Sequence, residues 1–184
     1  MSKANDNNKA KNESKKGNPQ RKCMITNMEK YENYKTQFQR LRRAMVNEFY
    51  LEAIVIEYAI LEDRMKSILS HEGNEDIPRE ISRKINKIKE HSKQNPLMGR
   101  YFAKDLKGKI NLMDEISVWL NNNYHVSKDS VCRNSIIHNL LGIITTTEKL
   151  REMAERGADL CKDLSNRANN FKRMVERRKA EQEK

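Results

Sequence analysis

Residues Val46–Leu69 read VNEFYLEAIVIEYAILEDRMKSIL, a run with neither glycine nor proline. Val46, Phe49, Tyr50, Ala53, Ile54, Ile56, Ile60, Leu61, Met65 and Ile68 recur at helical spacing and cover more than half the circumference of the helix they imply. A helix apolar over so wide an arc has to be surrounded by other elements. The segment is therefore the expected long, buried helix of an all-α, antiparallel helical bundle. One carboxylate, Glu57, interrupts its apolar series.

Just upstream, Met28, Tyr31, Tyr34, Phe38, Leu41 and Met45 form a single stripe, which predicts an amphipathic helix covering one side of the centre. The two segments either join into one long helix or bend near Val46 to Glu48. Downstream, Gly73, Asn74, Asp76 and Pro78 mark a turn, with Pro78 suited to the first turn of a helix. Ile77, Ile81, Ile85 and Ile88 then make a thin stripe, the pattern of a peripheral helix. Asn95, Pro96 and Gly99 interrupt the chain before a short helix holding Tyr101, Phe102 and Leu106, and helical spacing returns over Ile110–Leu120.

Thr145 and Glu148 match a capping box and predict the start of a long C-terminal helix. Leu150, Met153, Leu160, Leu164, Phe171 and Met174 give it a heptad-like stripe, broken by Gly157 and Arg167, which is expected to pack on its own bundle rather than on a partner. Beyond Arg177 the chain is charged to its end. The expected domain plan is a disordered basic tail over 1–25, a helical bundle over 26–178 and a frayed charged tail over 179–184.

The composition agrees with this plan: 36% hydrophobic and 34% charged residues, six glycines and three prolines in 184 residues describe one helical domain with a real core. No apolar run approaches the roughly 18 residues of a membrane span, and the N-terminus lacks the apolar centre of a secretory signal. Cys23, Cys132 and Cys161 are odd in number and widely spaced, so neither a disulfide framework nor a zinc site is expected, and the expected setting is a reducing cytoplasm. The net charge of +11 is concentrated at the ends: residues 1–22 carry seven basic and two acidic groups, and residues 167–184 carry seven and three. Two basic ends on a nearly balanced body either attract a polyanion such as RNA by a salt-sensitive attraction or simply keep the protein soluble.

The second informative stretch is Val126–Leu141, VSKDSVCRNSIIHNLL. Asp129 or Ser130 can cap a helix there. Val131, Ile136, Ile137 and Leu140 are left to bury, while Arg133, Asn134 and His138 stand out as polar. Asn134 and His138, four residues apart, share a helical face, and a long Arg133 side chain can wrap toward the histidine. Read as ordinary structure, the three are an arginine at a domain edge, an asparagine bonded to a loop and a histidine satisfied by a carbonyl. Glu57 has two open placements: paired with Arg133 or another cation of this helix, or at the solvent edge, the second favoured by the usual exposure of glutamate.

The string RNSIIH resembles the signature of the HEPN superfamily (higher eukaryotes and prokaryotes nucleotide-binding domains), an arginine followed after four to six residues by a histidine, often with a small polar residue directly after the arginine. With the helical context, the resemblance covers roughly residues 30–178. It implies an all-helical bundle acting as a metal-independent endoribonuclease, with Arg133, Asn134 and His138 as catalytic residues and Glu57 in support, and with no cofactor or metal. It also implies RNA as substrate, a homodimer formed through the motif helix so that two motifs share one cleft, and a toxin or anti-phage role with a cognate antitoxin as candidate partner. In one toxin subgroup a tyrosine stands two residues after the histidine and is modified by a partner nucleotidyltransferase; Leu140 occupies that position here.

Other chemistries find little footing. His71, His91 and His125 are far apart and lack carboxylates at metal-ligand spacing, and no glycine-rich phosphate loop or nucleophile motif is present. The competing readings are a non-catalytic helical module that binds RNA or a protein through its basic ends and heptad stripe, and a nucleotide-sensing bundle.

Overall fold

A computed structural model describes residues 27–74, 76–103, 111–121 and 146–183. The basic segment 1–25, Leu106 and the stretch Val126–Leu141 lie outside them. Among the described residues the protein is an all-α helical bundle of six helices with no strand: α1 (Asn27–Val46), α2 (Tyr50–His71), α3 (Ile81–Gln94), the short α4 (Pro96–Met98), α5 (Leu112–Asn121) and α6 (Thr147–Gln182). A single π-helical turn, Gly99–Ala103, follows α4.

The centre is α2, as its wide apolar arc requires. Ala53, Ile54, Ile60, Leu61, Met65, Ile68 and Leu69 are all at most 3% exposed. It packs most extensively on α6 and next on α1. Val46 and Phe49, expected on its buried arc, are instead exposed, because the chain bends there rather than continuing as one helix. The bend is a Schellman-type ending: the Phe49 amide donates to the Ala44 carbonyl (2.8 Å) and the Glu48 amide to that of Met45 (3.2 Å), with Glu48 at φ 61°. The end of α2 repeats the pattern, Asn74 donating to Leu69 and Gly73 to Ser70, with Gly73 at φ 95° in the equivalent place.

The tight α1–α2 turn makes these helices antiparallel, and Arg40–Glu52 and Tyr34–Asp63 contacts tie opposite ends of the pair. In contrast, α2 and α6 run in the same direction, since Glu57 meets Gly157 and Cys161 while Arg64 meets Ser165 and Asn169.

The thin stripe of α3 is enough to bury Ile85 and Ile88 completely. Lys84, on the same side, is only 3% exposed; its ammonium donates to Glu62 Oε1 at 2.7 Å and to the Arg79 carbonyl at 2.6 Å. Asn95 interrupts the chain by capping: its Oδ1 accepts from the Leu97 and Met98 amides, and Pro96 occupies the first turn of α4. Tyr101 and Phe102 of the π-helical turn stack edge-on against Phe171.

Helix α6 begins one residue later than the capping-box spacing implies. Thr146, not Thr145, caps it, accepting from the Lys149 amide at 3.3 Å. Its stripe packs within the bundle, burying Met153, Leu160, Leu164 and Phe171. Neither Gly157 nor Arg167 breaks it: Gly157 is buried, and Arg167 forks onto Asp163 (2.9 and 3.0 Å) and donates to the Tyr101 carbonyl (3.0 Å). The helix continues to Gln182, past Arg177.

Candidate functional site

The sequence nominates Arg133, Asn134, His138 and Glu57. The first three, with Cys132, His125 and Leu140, lie outside the described residues, so Glu57 alone is placed.

Glu57 does not sit at the solvent edge. It is 0% exposed, because its position on α2 faces both α5 and α6. Its carboxyl lies against Gly157 and Trp119: a Cβ added to Gly157 would fall 2.8 Å from Trp119 Cζ2 and 2.7 Å from Glu57 Cδ. Only a glycine lets the backbone of α6 come so close. Neither carboxyl oxygen has a hydrogen-bond partner among the described residues. Removed from water, and with no hydrogen-bonding cation among the described residues, the group resists ionising, and burial pushes it up to about 9. At neutral pH it is therefore a neutral acid, able to donate a proton rather than to stand as a counter-ion.

Its neighbours are already engaged with the backbone. Trp119 Nε1 donates to the Met153 carbonyl at 3.0 Å, and the Cys161 thiol points at the backbone oxygen of Glu57 at 3.4 Å. Burial, and secondarily the Glu57 carboxylate, pushes the Cys161 thiol up, which makes it a packed thiol rather than a nucleophile.

A second feature carries no sequence motif. Between α1, α2 and α6 runs a groove of about 600 Å³ whose lining includes Lys30, Lys35, Arg64, Lys162 and Lys172 and, among the described residues, no carboxylate. It continues into a neighbouring hollow of about 580 Å³ through Lys30, Tyr34, Ser67 and His71. Arg64 forms part of its floor. The guanidinium lies over the Tyr34 ring, 3.5 Å from the centroid, and donates to Ser165 Oγ (3.2 Å) and Asn169 Oδ1 (3.3 Å). The Tyr34 hydroxyl is held in turn by Asp63. Burial, helped by that hydrogen bond, pushes the Tyr34 phenol up, so it stays a neutral donor. His71 at one end is held below the usual histidine range, first by burial and then by Lys172, against the opposite pull of Glu176, with Lys30 and Lys179 adding to the depression. The signal for this groove was present in the sequence: Lys30, Tyr34 and Phe38 on α1, and Lys162, Asn166, Asn169 and Lys172 on α6, fall at three- and four-residue intervals. What it lacked was knowledge that the two rows face each other.

The described residues include no cluster of three or more histidine, cysteine, aspartate or glutamate side chains able to hold a metal, and no helix long and apolar enough to cross a membrane. Compared with models of known protein families, with curated proteins and with solved structures, the chain matches none.

Proposed function

We propose that the protein is a metal-independent endoribonuclease of HEPN type, working as a homodimer and serving as a toxin or anti-phage effector. The observation that carries this reading is the string Arg133, Asn134 and His138 in a chain whose described part is an all-helical bundle. RNA brings its own nucleophile. The 2′-hydroxyl loses its proton to one imidazole and its oxygen bonds to phosphorus; the bond to the 5′-oxygen breaks, and a second imidazole returns a proton to that leaving oxygen. Histidine, with an unperturbed pKa of about 6.5, suits both transfers near neutral pH. Arg133 holds the non-bridging oxygens with its planar fork as negative charge builds, and Asn134 orients the imidazole or the phosphate. The products are a 2′,3′-cyclic phosphate and a free 5′-hydroxyl. One motif has a single histidine, so the reaction takes two copies arranged about a two-fold axis through the motif helix.

The test is cleavage of a single-stranded RNA in chelator-containing buffer by the wild-type protein and by His138→Ala. Cleavage by the wild type alone, with cyclic-phosphate ends and a specific rate that falls as the enzyme is diluted below its dimer constant, is the expected result. Equal behaviour of the two proteins sinks the enzyme reading. The second reading, a non-catalytic RNA-binding module, is favoured by the basic groove between α1, α2 and α6, whose described lining residues include five cations.

A further inference from the structure

We infer that the groove between α1, α2 and α6 is a binding track for single-stranded RNA, with Lys30, Lys35, Lys162 and Lys172 on phosphates and Tyr31 stacking on a base. That the ligand is an anion follows from the groove alone; that it is RNA rests on the function proposed above. Five cationic side chains on three helices converge on one concavity, and no carboxylate is among the described residues that line it. The nearest ion pairs are loose: Lys30 to Asp63 at 3.6 Å, Lys35 to Glu32 at 3.7 Å and Lys172 to Glu176 at 3.8 Å. Each ammonium can exchange such a partner for a phosphate at little cost.

The floor is built in advance. Arg64 is fixed by Tyr34, Ser165 and Asn169, so its charge does not have to be ordered when a ligand arrives. The amides of Asn166 and Asn169 add neutral polar groups along the α6 side. Tyr31, 63% exposed, is among the lining residues of the groove, as are the half-buried Tyr34 and Phe38. A cationic groove lined by an accessible aromatic is the arrangement that takes up single strands, whose bases are free to stack, in preference to duplexes, whose bases are not. At one end His71 faces Lys30 of α1 and Lys172, Glu176 and Lys179 of α6; burial first, and then the neighbouring lysines against the pull of Glu176, hold it below the usual histidine range.

The experiment measures binding of the full-length protein to a fluorescent 2′-O-methyl oligouridine, which has no free 2′-hydroxyl and cannot be cut. Lys35→Glu/Lys162→Glu/Lys172→Glu is compared with a charge-matched control, Arg79→Glu/Lys93→Glu/Arg156→Glu, whose sites are exposed and outside the groove. The groove variant is expected to bind at least tenfold more weakly than the control, with the slope of log affinity against log salt reduced by about two, near 0.7 for each phosphate no longer engaged. Tyr31→Ala, at an exposed site where folding is not at stake, is expected to weaken binding about fivefold or more, the low end of one missing base stack. Equal weakening by groove and control variants overturns the proposal. So does displacement of the oligouridine by a polyglutamate of equal charge at equal concentration, or binding of duplex RNA as tight as that of the single strand. As a second readout, the His71 ring proton resonances should titrate at higher pH when the oligonucleotide is bound; an unchanged midpoint also counts against the track. Failure here leaves the His138-dependent cleavage test standing, and failure of that test leaves this one standing.

Discussion

The carboxyl group of Glu57 on α2 is seated directly against the backbone of Gly157 on α6, with Trp119 of α5 closing the third side. Three helices thus meet at an uncharged acid and a missing side chain. The junction is close because the two residues are matched: a larger residue at 157 has no room, and a charge at 57 has no partner among the described residues.

Gly157→Ala is accordingly expected to destabilise the protein, although alanine is the better helix former by about 1 kcal/mol. Overpacking a tight junction costs about 1–3 kcal/mol, and the atoms in the way belong to a buried carboxyl and an indole that have nowhere to go. A melting temperature several degrees below wild type is the predicted outcome, at about 2–4 °C for each kcal/mol in a chain of this size. Adding Glu57→Ala should restore part of the loss. A rise in melting temperature for Gly157→Ala alone would show that α6 is not pressed against Glu57.

The same junction sets a pH dependence. In the unfolded chain Glu57 has an ordinary carboxyl pKa near 4.5, whereas in the folded protein burial raises it to about 9. Below the lower value both states hold the proton and nothing depends on ionisation. As pH rises from there the unfolded state releases its proton while the folded state keeps it, so stability declines through the window up to about 9. Glu57→Gln, an isostere that cannot ionise, should match wild type near pH 4.5 and exceed it increasingly above that, by on the order of 3 kcal/mol at pH 7. Chemical denaturation of both proteins at several pH values checks it. A constant difference across that range would mean that Glu57 is charged in the fold.

The end of α1 offers a stabilising change. Glu48 holds the left-handed position that Gly73 fills at the end of α2, with the same pair of backbone hydrogen bonds around it. A side chain there costs about 1 kcal/mol that glycine does not incur. Glu48 is also exposed, so no packing is lost on removing it. Glu48→Gly is therefore predicted to raise stability by about 0.5–1 kcal/mol, set against its greater freedom in the unfolded chain. Thermal or urea melts would reveal it, and a clear loss of stability would mean that the Glu48 side chain makes a contribution of its own.

These three positions show how far the sequence could be read. The helical class, the central place of Tyr50–Leu69 and the packing of the C-terminal stripe follow from the spacing of apolar residues, which is a local property of the chain. The break between α1 and α2 carried no such mark, because neither glycine nor proline stands there; a glutamate in a left-handed conformation makes it. Gly157 carried a misleading one, since a glycine within a helical pattern reads as a weak point unless the helix facing it is known. For Arg133, Asn134 and His138 the sequence supplies residue types and spacing, and the groove of α1, α2 and α6 was visible only as two unconnected rows of polar residues.

By itself, then, the sequence determined what is periodic: that the chain is helical, which faces are apolar, and where its excess charge lies. The tertiary structure decided what depends on pairing distant segments. Whether Glu57 meets water or Gly157, and whether Lys30 and Lys172 belong to one surface or two, is set by how α2, α5 and α6 come together. Local composition cannot encode that, because burial and electrostatic potential are properties of the space between helices and not of any one of them.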